Sequence, residues 1–223
     1  MCFKVKPAKI KYQKAPEDNL AYTEEMNKIY THWTRAYDRF IAVFPLWKKW
    51  LRTVLPYVEG KKLLEVSFGT GFLLTQYPVD IELHGIDYNA DMVSWARTKM
   101  DKISRKAELI QGNVEQLPYP DSSFDTVVVT MAFSGYPDGD RALSEMLRVL
   151  KSGGKLLMVD YDYPPDMNLF GYWITMIMVK SGDLIKDINS FIRRTGCTYE
   201  SRCIGSFKSA QLFIITKTVD SNA

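Results

Sequence analysis

The chain has 223 residues and a mass of 25.7 kDa, enough for one large domain or two very small ones. Hydrophobic residues make up 46% and charged residues 25%, and this ordinary globular composition excludes a disordered, collagen-like or coiled-coil chain. The net charge is +3, and the three cysteines have neither metal-ligand spacing nor the even number of a disulfide framework. We therefore expect no metal site and a cytoplasmic protein, without a secretory signal or a membrane span.

The charge is unevenly distributed along the chain. Up to Lys62 there are 13 basic and six acidic residues, a net charge of +7, whereas the remainder has 16 basic and 20 acidic residues, a net charge of −4. The basic part is either a solvated tail or a segment attracted to an anionic membrane surface in peripheral contact. The acidic remainder argues against nucleic acid as a partner.

The predicted elements begin with a mobile basic arm over residues 1–17 and aromatic-rich lid helices within 18–60. Strands and helices then alternate. Predicted strands cover 62–66, 81–86, 107–111, 124–131 and 155–161, and predicted helices cover 90–102 and 140–150. Such alternation predicts an α/β, doubly wound, mostly parallel sheet with helices on both faces.

The C-terminal part does not follow this alternation of strands and helices. A helix is predicted over 183–194, followed by strands over 198–204 and 211–218 that a short turn separates. Two strands so close together must pair antiparallel, because a parallel crossover needs a dozen or more residues. We therefore expect one domain over 61–219 with a seven-stranded sheet that ends in an antiparallel hairpin.

The loops after the strands are where an open parallel sheet binds its ligands. Residues 65–71 read EVSFGTG and let the backbone turn sharply after the first strand. Asp87 ends the second strand and can accept hydrogen bonds from ribose hydroxyls, or it can cap the next helix, as Asn89 could equally do. After the third strand, Asn113 and Val114 suit an adenine ring, although Asn113 can also be a simple turn residue.

Four motifs in this order carry a resemblance to a known family. They are LLEVxxGTG from residue 63, GID at 85–87, LP at 117–118 followed by SFD at 123–125, and LRVLKxGG at 147–154. Over roughly 61–161 the sequence resembles the class I S-adenosylmethionine-dependent methyltransferases. The similarity is greatest to the group that includes quinone-biosynthesis and bacterial phosphatidylethanolamine methyltransferases, which share a Rossmann-like fold.

The resemblance implies S-adenosylmethionine as the cofactor and a set of positions that hold it. These positions are Tyr37, Glu65, Gly69, Gly71, Asp87, Tyr88, Met92, Asn113, Val114 and Thr130. Tyr37 belongs to the stretch expected to form a lid over the cofactor. Ser67 replaces the family's usual first glycine, so we expect an unusual backbone conformation at this position.

The candidate catalytic groups are Asp160 and His32. Many small-molecule relatives carry a histidine after the fourth strand, whereas this chain has Ser134 and Gly135 there. We therefore expect methyl transfer that depends mainly on positioning, with Asp160 after the fifth strand or His32 in the lid as the groups able to assist. His84, inside the second strand, is interpreted as structural.

The acceptor is expected to be hydrophobic. The aromatic N-terminal helices and the apolar run over 169–179 would form two walls of its site, which favours a hydrophobic small molecule or a lipid head group methylated by in-line transfer. A noncatalytic cofactor-binding or partner-activating subunit remains the alternative. A nucleotide-binding dehydrogenase is disfavoured because Ser67 and Phe72 stand where its fingerprint needs glycines. The acceptor atom and the oligomeric state stay open.

Overall fold

The computed structural model describes residues 10–29, 31 and 45–218. Seven strands form one sheet. They are β1 (Lys62–Val66), β2 (Glu82–Asp87), β3 (Glu108–Gln111), β4 (Phe124–Thr130), β5 (Leu150–Tyr161), β6 (Thr198–Cys203) and β7 (Ala210–Thr216). The helices are α1 (19–29), α2 (Pro45–Arg52), α3 (Ala90–Lys102), α4 (Gly139–Val149), α5 (Leu169–Lys180) and α6 (Ile188–Thr195).

The strand order is β3-β2-β1-β4-β5-β7-β6. The first five strands in this order pair in parallel, and β7 pairs antiparallel with both β5 and β6. The predicted doubly wound, mostly parallel sheet with a terminal hairpin is confirmed. The chain winds outward in both directions from β1 and β4, so the crevice for a ligand lies beyond the carboxyl ends of these two strands.

The core lies on both faces of the sheet because β4 is apolar on both of its sides. Val127 and Val129 belong to a buried cluster on one face that includes Met146 of α4. Val128 belongs to the cluster on the other face, with Ala96 of α3. A central parallel strand covered on both faces reads as a continuous apolar run, as β4 does.

The end of α4 differs from the prediction. The helix stops at Val149, and β5 begins directly at Leu150 instead of at the predicted residue 155. Leu150 has extended backbone and pairs with Phe124, and the register then shifts before Thr126 pairs with Lys155. Pairing with β4 therefore extends β5 towards its N-terminus by five residues beyond the prediction.

The start of α6 also differs, because the helix predicted from residue 183 begins only at Ile188. The preceding segment instead bonds to the turn that follows β4. The Leu184 amide donates to the Ser134 carbonyl over 2.8 Å, and the Lys186 ammonium donates to the Phe133 carbonyl over 3.0 Å. These contacts hold 183–187 against the turn without helical structure, and Asp187 caps the helix by accepting from the Ser190 amide.

The described part of the predicted basic arm contacts the domain. The Tyr12 hydroxyl donates to the Asp162 carboxylate over 3.2 Å, and the Gln13 amide donates to the Ile185 carbonyl over 2.9 Å. Tyr12 and Gln13 therefore pack against the domain, although the sequence predicts that the arm is mobile. Among the described residues, no helix is long and apolar enough to cross a membrane.

Candidate functional site

A pocket lies at the carboxyl ends of β1, β2, β3 and β4, with about 960 Å³ of empty space that includes open solvent. Helix α1 covers one side of it. The lining residues are Thr23, Met26, Asn27, Ser67, Gly69, Ile86, Asp87, Tyr88, Asn89, Met92, Gly112, Asn113, Val114, Glu115, Thr130, Met131, Ala132, Gly135, Tyr136 and Pro137. The pocket thus occupies the crevice that the topology predicts.

The loop after β1 turns sharply through three residues with left-handed backbone. The φ angles of Ser67, Gly69 and Gly71 are 52°, 56° and 76°. Ser67 therefore adopts the conformation that glycine adopts without steric cost, and its hydroxyl lies 2.8 Å from the Tyr136 hydroxyl. A Cβ on Gly71 would stand 2.9 Å from the Cβ of Ala96, so glycine lets α3 pack closely against the loop.

Phe68 in the same loop points away from the pocket into the core. It is buried in the cluster on the α3 face of the sheet. A Cβ on Gly85 would stand only 2.7 Å from the Phe68 ring, so the absence of a side chain in β2 makes room for this phenylalanine.

Asp87 joins the ends of β1 and β2. Its carboxylate accepts from the Gly69 amide over 2.8 Å and from the Asn89 amide over 2.9 Å. Burial raises the pKa of Asp87 to about 6, although both amides oppose this shift by stabilising the charged form. Each carboxylate oxygen retains a lone pair, so the group can still accept hydrogen bonds from a ligand in the pocket.

Asn89, not Asp87, caps α3. Its side-chain oxygen accepts from the Met92 amide over 3.0 Å. Its Nδ2 donates to the Asn27 side chain and to the Thr31 hydroxyl, each over 2.7 Å. One buried amide therefore links the end of β2 to α1, the helix that covers the pocket.

Seven of the predicted cofactor positions line this pocket. They are Gly69, Asp87, Tyr88, Met92, Asn113, Val114 and Thr130. Asn113 lines the pocket and also caps a short turn by accepting from the Glu115 amide over 2.9 Å.

Glu65 and Gly71 do not line the pocket, and their assignment to the cofactor stays a prediction. Gly71 serves the packing of α3, as described above. Glu65 is buried beside Tyr77, and burial raises its pKa to about 8. Side chains alternate between the faces of a strand, and Glu65, two positions before Ser67, lies on the face of the sheet that Tyr77 covers.

Asp160 also lies outside the pocket, and it therefore does not face an acceptor there. The carboxylate is fully buried and accepts from the Ser134 amide over 2.7 Å, the Ser134 hydroxyl over 3.0 Å and the Tyr161 amide over 2.7 Å. Burial raises its pKa. Asp160 thus fixes the turn at 133–135, whose Gly135 borders the pocket.

Two predicted site residues, His32 and Tyr37, lie outside the residues that the structure describes. His84 lies in β2, away from the pocket. Its Nε2 is 2.8 Å from the Glu82 carboxylate, and its ring meets Phe124 edge-on at 5.2 Å. These contacts agree with a structural role for His84.

Helix α5, expected to form a wall of the acceptor site, contributes no lining residue. The sequence analysis instead missed the contribution of α1, from Thr23, Met26 and Asn27. Their polar and apolar types give no signal by themselves, because α1 precedes the sheet and only the tertiary contact through Asn89 brings it to the pocket.

Comparisons with known proteins agree with this geometry. Residues 64–158 match the family model described as a methyltransferase domain. The ubiquinone/menaquinone biosynthesis C-methyltransferase UbiE of Shewanella baltica is 33% identical over 160 residues, which cover 67% of this chain and 64% of that protein. The demethylmenaquinone methyltransferase of Listeria welshimeri is 32% identical over 63% of this chain and 64% of its own length. The chain thus spans somewhat less than two thirds of these curated relatives.

Solved structures of methyltransferases share this fold. The crystal structure of an S-adenosylmethionine-dependent methyltransferase from Thermotoga maritima superposes with a TM-score of 0.70 and 19% sequence identity, covering 86% of this chain and all of that one. Motifs, fold and matched domain agree, and residues 64–158 form a methyltransferase domain of the S-adenosylmethionine-dependent type.

Proposed function

We propose that this chain binds S-adenosylmethionine in the pocket at the ends of β1–β4 and methylates a hydrophobic small molecule by in-line transfer. The observation that carries the proposal is Asp87, a buried carboxylate at the end of β2 that faces the pocket with acceptor capacity to spare. An acidic group there is suited to the two hydroxyls of a ribose.

The remaining lining residues support this cofactor. Met92 and Val114 line the pocket with apolar surface that suits an adenine ring, and the Asn113 side chain would bind the edge of that ring. A Cβ on Gly135 would meet no atom within 4 Å, so the backbone there borders open space. When bound, S-adenosylmethionine supplies a methyl group that its sulfonium already activates.

The acceptor we propose is a hydrophobic compound of the quinone-precursor type. The named relatives act in ubiquinone and menaquinone biosynthesis, which favours this class over a lipid head group. Met26, Met131 and Ala132 give the pocket an apolar side near the end of β4, where flexible thioethers can adapt to an irregular ligand. We also propose that the protein is cytoplasmic and that its basic N-terminal segment makes peripheral contact with an anionic membrane.

We propose that positioning, not a dedicated base, provides most of the rate. The described titratable residues that line the pocket are Asp87, Tyr88, Glu115 and Tyr136, and no described histidine lines it. Burial raises the pKa of Tyr136, which keeps its hydroxyl protonated. These residues orient the reactants and exclude water, and an acceptor that ionises readily needs no further base.

The test is a turnover assay that measures S-adenosylhomocysteine release with a panel of isoprenoid hydroquinones, phenols, thiols, amines and phosphatidylethanolamine. We expect release with a hydroquinone or phenol. Cofactor binding without release for any acceptor would favour the noncatalytic alternative. His32→Ala should retain turnover within about 100-fold, because a general base contributes about 100- to 10,000-fold. A thousandfold loss with unchanged cofactor binding would assign the base to His32.

A further inference from the structure

Helix α5 exposes an apolar face to solvent. Phe170, Trp173 and Ile177 are 65%, 55% and 54% exposed, and their spacing of three and four residues places them on one side of the helix. The Phe207 ring stacks on Phe170 with centroids 5.2 Å apart and is itself 55% exposed. We call these four residues the α5 face. Scattered apolar residues are common on protein surfaces, but four contiguous ones are not.

The opposite side of α5 is already packed. Gly171 and Thr175 are buried, and the Thr175 hydroxyl donates to the Asp162 carbonyl over 2.9 Å. The Tyr172 ring stacks on Tyr163 with centroids 5.8 Å apart. The helix is therefore fixed in this orientation, and rotation cannot bury the α5 face in the core.

Basic residues gather beside the α5 face. The Tyr163 hydroxyl donates to the Lys11 carbonyl over 3.1 Å, and Ile10 packs against the buried cluster that contains Tyr163, as Tyr172 and Met176 of α5 also do. The Lys11 backbone thus lies close to α5.

Helix α5 itself carries no acidic residue and ends at Lys180. Lys11, Lys14 and Lys180 are exposed. An apolar face with tryptophan and phenylalanine beside several lysines is the combination that binds the surface of an anionic bilayer. Tryptophan suits the boundary between head groups and acyl chains because its ring is apolar and its N–H is polar.

We propose that the α5 face and the adjacent lysines dock this chain on an anionic phospholipid membrane. Phe170 and Trp173 enter the interfacial layer, and the lysines contact the phosphate groups. This inference rests on the proposed function, because a hydrophobic acceptor would be collected from the bilayer. The membrane contact itself can be measured without methyl transfer.

The experiment is co-sedimentation of the full-length chain with vesicles of 70% phosphatidylcholine and 30% phosphatidylglycerol at 50 mM NaCl. We expect the wild type to bind, and Phe170→Gln combined with Trp173→Gln to bind at least tenfold more weakly. Trp95→Gln is the matched control, because Trp95 is an exposed tryptophan on α3, and it should bind like the wild type. Replacing Lys11 and Lys14 by Gln should weaken binding by about fivefold per charge.

Salt and lipid composition provide the second arm. Binding should fade at 500 mM NaCl and on pure phosphatidylcholine, because exposed charges are screened within about 10 Å or less above 0.1 M salt. The proposal is overturned if the wild type ignores anionic vesicles at 50 mM NaCl, or if the double variant binds them equally well. It is also overturned if light scattering shows a dimer that the double variant dissociates, because the α5 face would then join two copies.

The two proposals fail in distinguishable ways. The double variant should methylate a short-chain, water-soluble hydroquinone at the wild-type rate, because neither Phe170 nor Trp173 lines the pocket. A wild type that binds vesicles but releases no S-adenosylhomocysteine would contradict the proposed function alone. Loss of soluble turnover in a folded double variant would assign the α5 face to catalysis and contradict membrane docking as its role.

Discussion

Asp87 and Asp160 both end a parallel strand, yet their surroundings give them different roles. Asp87 faces the pocket and binds two amides, whereas all described contacts of Asp160 come from Ser134 and the Tyr161 amide. We expect Asp160→Asn to destabilise the fold, because both carboxylate oxygens accept from backbone amides and an amide nitrogen would face one of these donors. The cost should be about 1–3 kcal/mol.

The measurement for Asp160→Asn is urea unfolding together with turnover at a temperature where the variant stays folded. Turnover should fall by less than about 100-fold, the lower limit for a general base. A larger loss in a protein of wild-type stability would return Asp160 to the catalytic groups.

At the residue scale, the sequence identifies site residues that directly follow a strand. Asp87 and Asn113 are predictable because the carboxyl ends of parallel strands meet at one edge. The environment of Glu65 is not predictable in this way, because its position within β1 decides which face of the sheet its side chain occupies. Asn27 is missed for another reason: its contact with Asn89 spans 62 positions of sequence and leaves no local pattern.

At the scale of elements, the central contact is the one between α1 and the end of β2. Asn89→Ser keeps an oxygen that can cap α3, since serine and asparagine are comparable caps, but it removes the Nδ2 donations to Asn27 and Thr31. Losing these two hydrogen bonds should destabilise the closed position of α1 by about 1–2 kcal/mol. We therefore expect faster amide exchange over residues 19–29, by roughly tenfold, and weaker cofactor binding.

Asn27→Ala is the partner variant for this prediction. Because it removes the same contact from the other side, combining it with Asn89→Ser should add little to either single effect. Fully additive effects, or unchanged exchange over 19–29 in Asn89→Ser, would show that this contact does not hold α1 over the pocket.

Most helices and strands can be predicted from the sequence, but their boundaries are predicted less accurately. Periodicity predicts α3 at its observed bounds because its polar and apolar residues alternate with helical spacing and Asn89 caps it. Helix α6 begins five residues later than predicted because Lys186 and Leu184 bond to the turn at 133–135. Such tertiary contacts override local helix preference, and the sequence offers no sign of them.

At the scale of the whole molecule, buried carboxylates make stability depend on pH. Burial raises the pKa of Asp162 to about 7, and the charges of Asp187 and Asp160 add to this shift. The folded state then holds a proton that the unfolded state releases near pH 4, so the free energy of unfolding falls as pH rises from about 4 to 7. One such group contributes a slope of at most about 1.4 kcal/mol per pH unit.

Asp162→Asn tests this dependence. An amide can still accept from the Tyr163 amide and the Tyr12 hydroxyl, but it does not titrate. Urea unfolding at pH 5 and pH 8 should show a smaller loss of stability in the variant than in the wild type. An equal loss in both proteins would mean that Asp162 titrates near its ordinary value.

The account depends most on Asp87 as the residue that holds the cofactor, and calorimetric titration of S-adenosylmethionine into the wild type and Asp87→Asn tests it most directly. Because burial raises the pKa of Asp87 to about 6, wild-type affinity should be constant above pH 7 and should weaken as pH falls below 6. Asp87→Asn should bind more weakly at pH 7.5 by about 1–3 kcal/mol, the cost of losing charge-assisted hydrogen bonds, and should lose this pH dependence. Wild-type affinity in a folded Asp87→Asn variant, or a wild type that does not bind S-adenosylmethionine, would contradict the account.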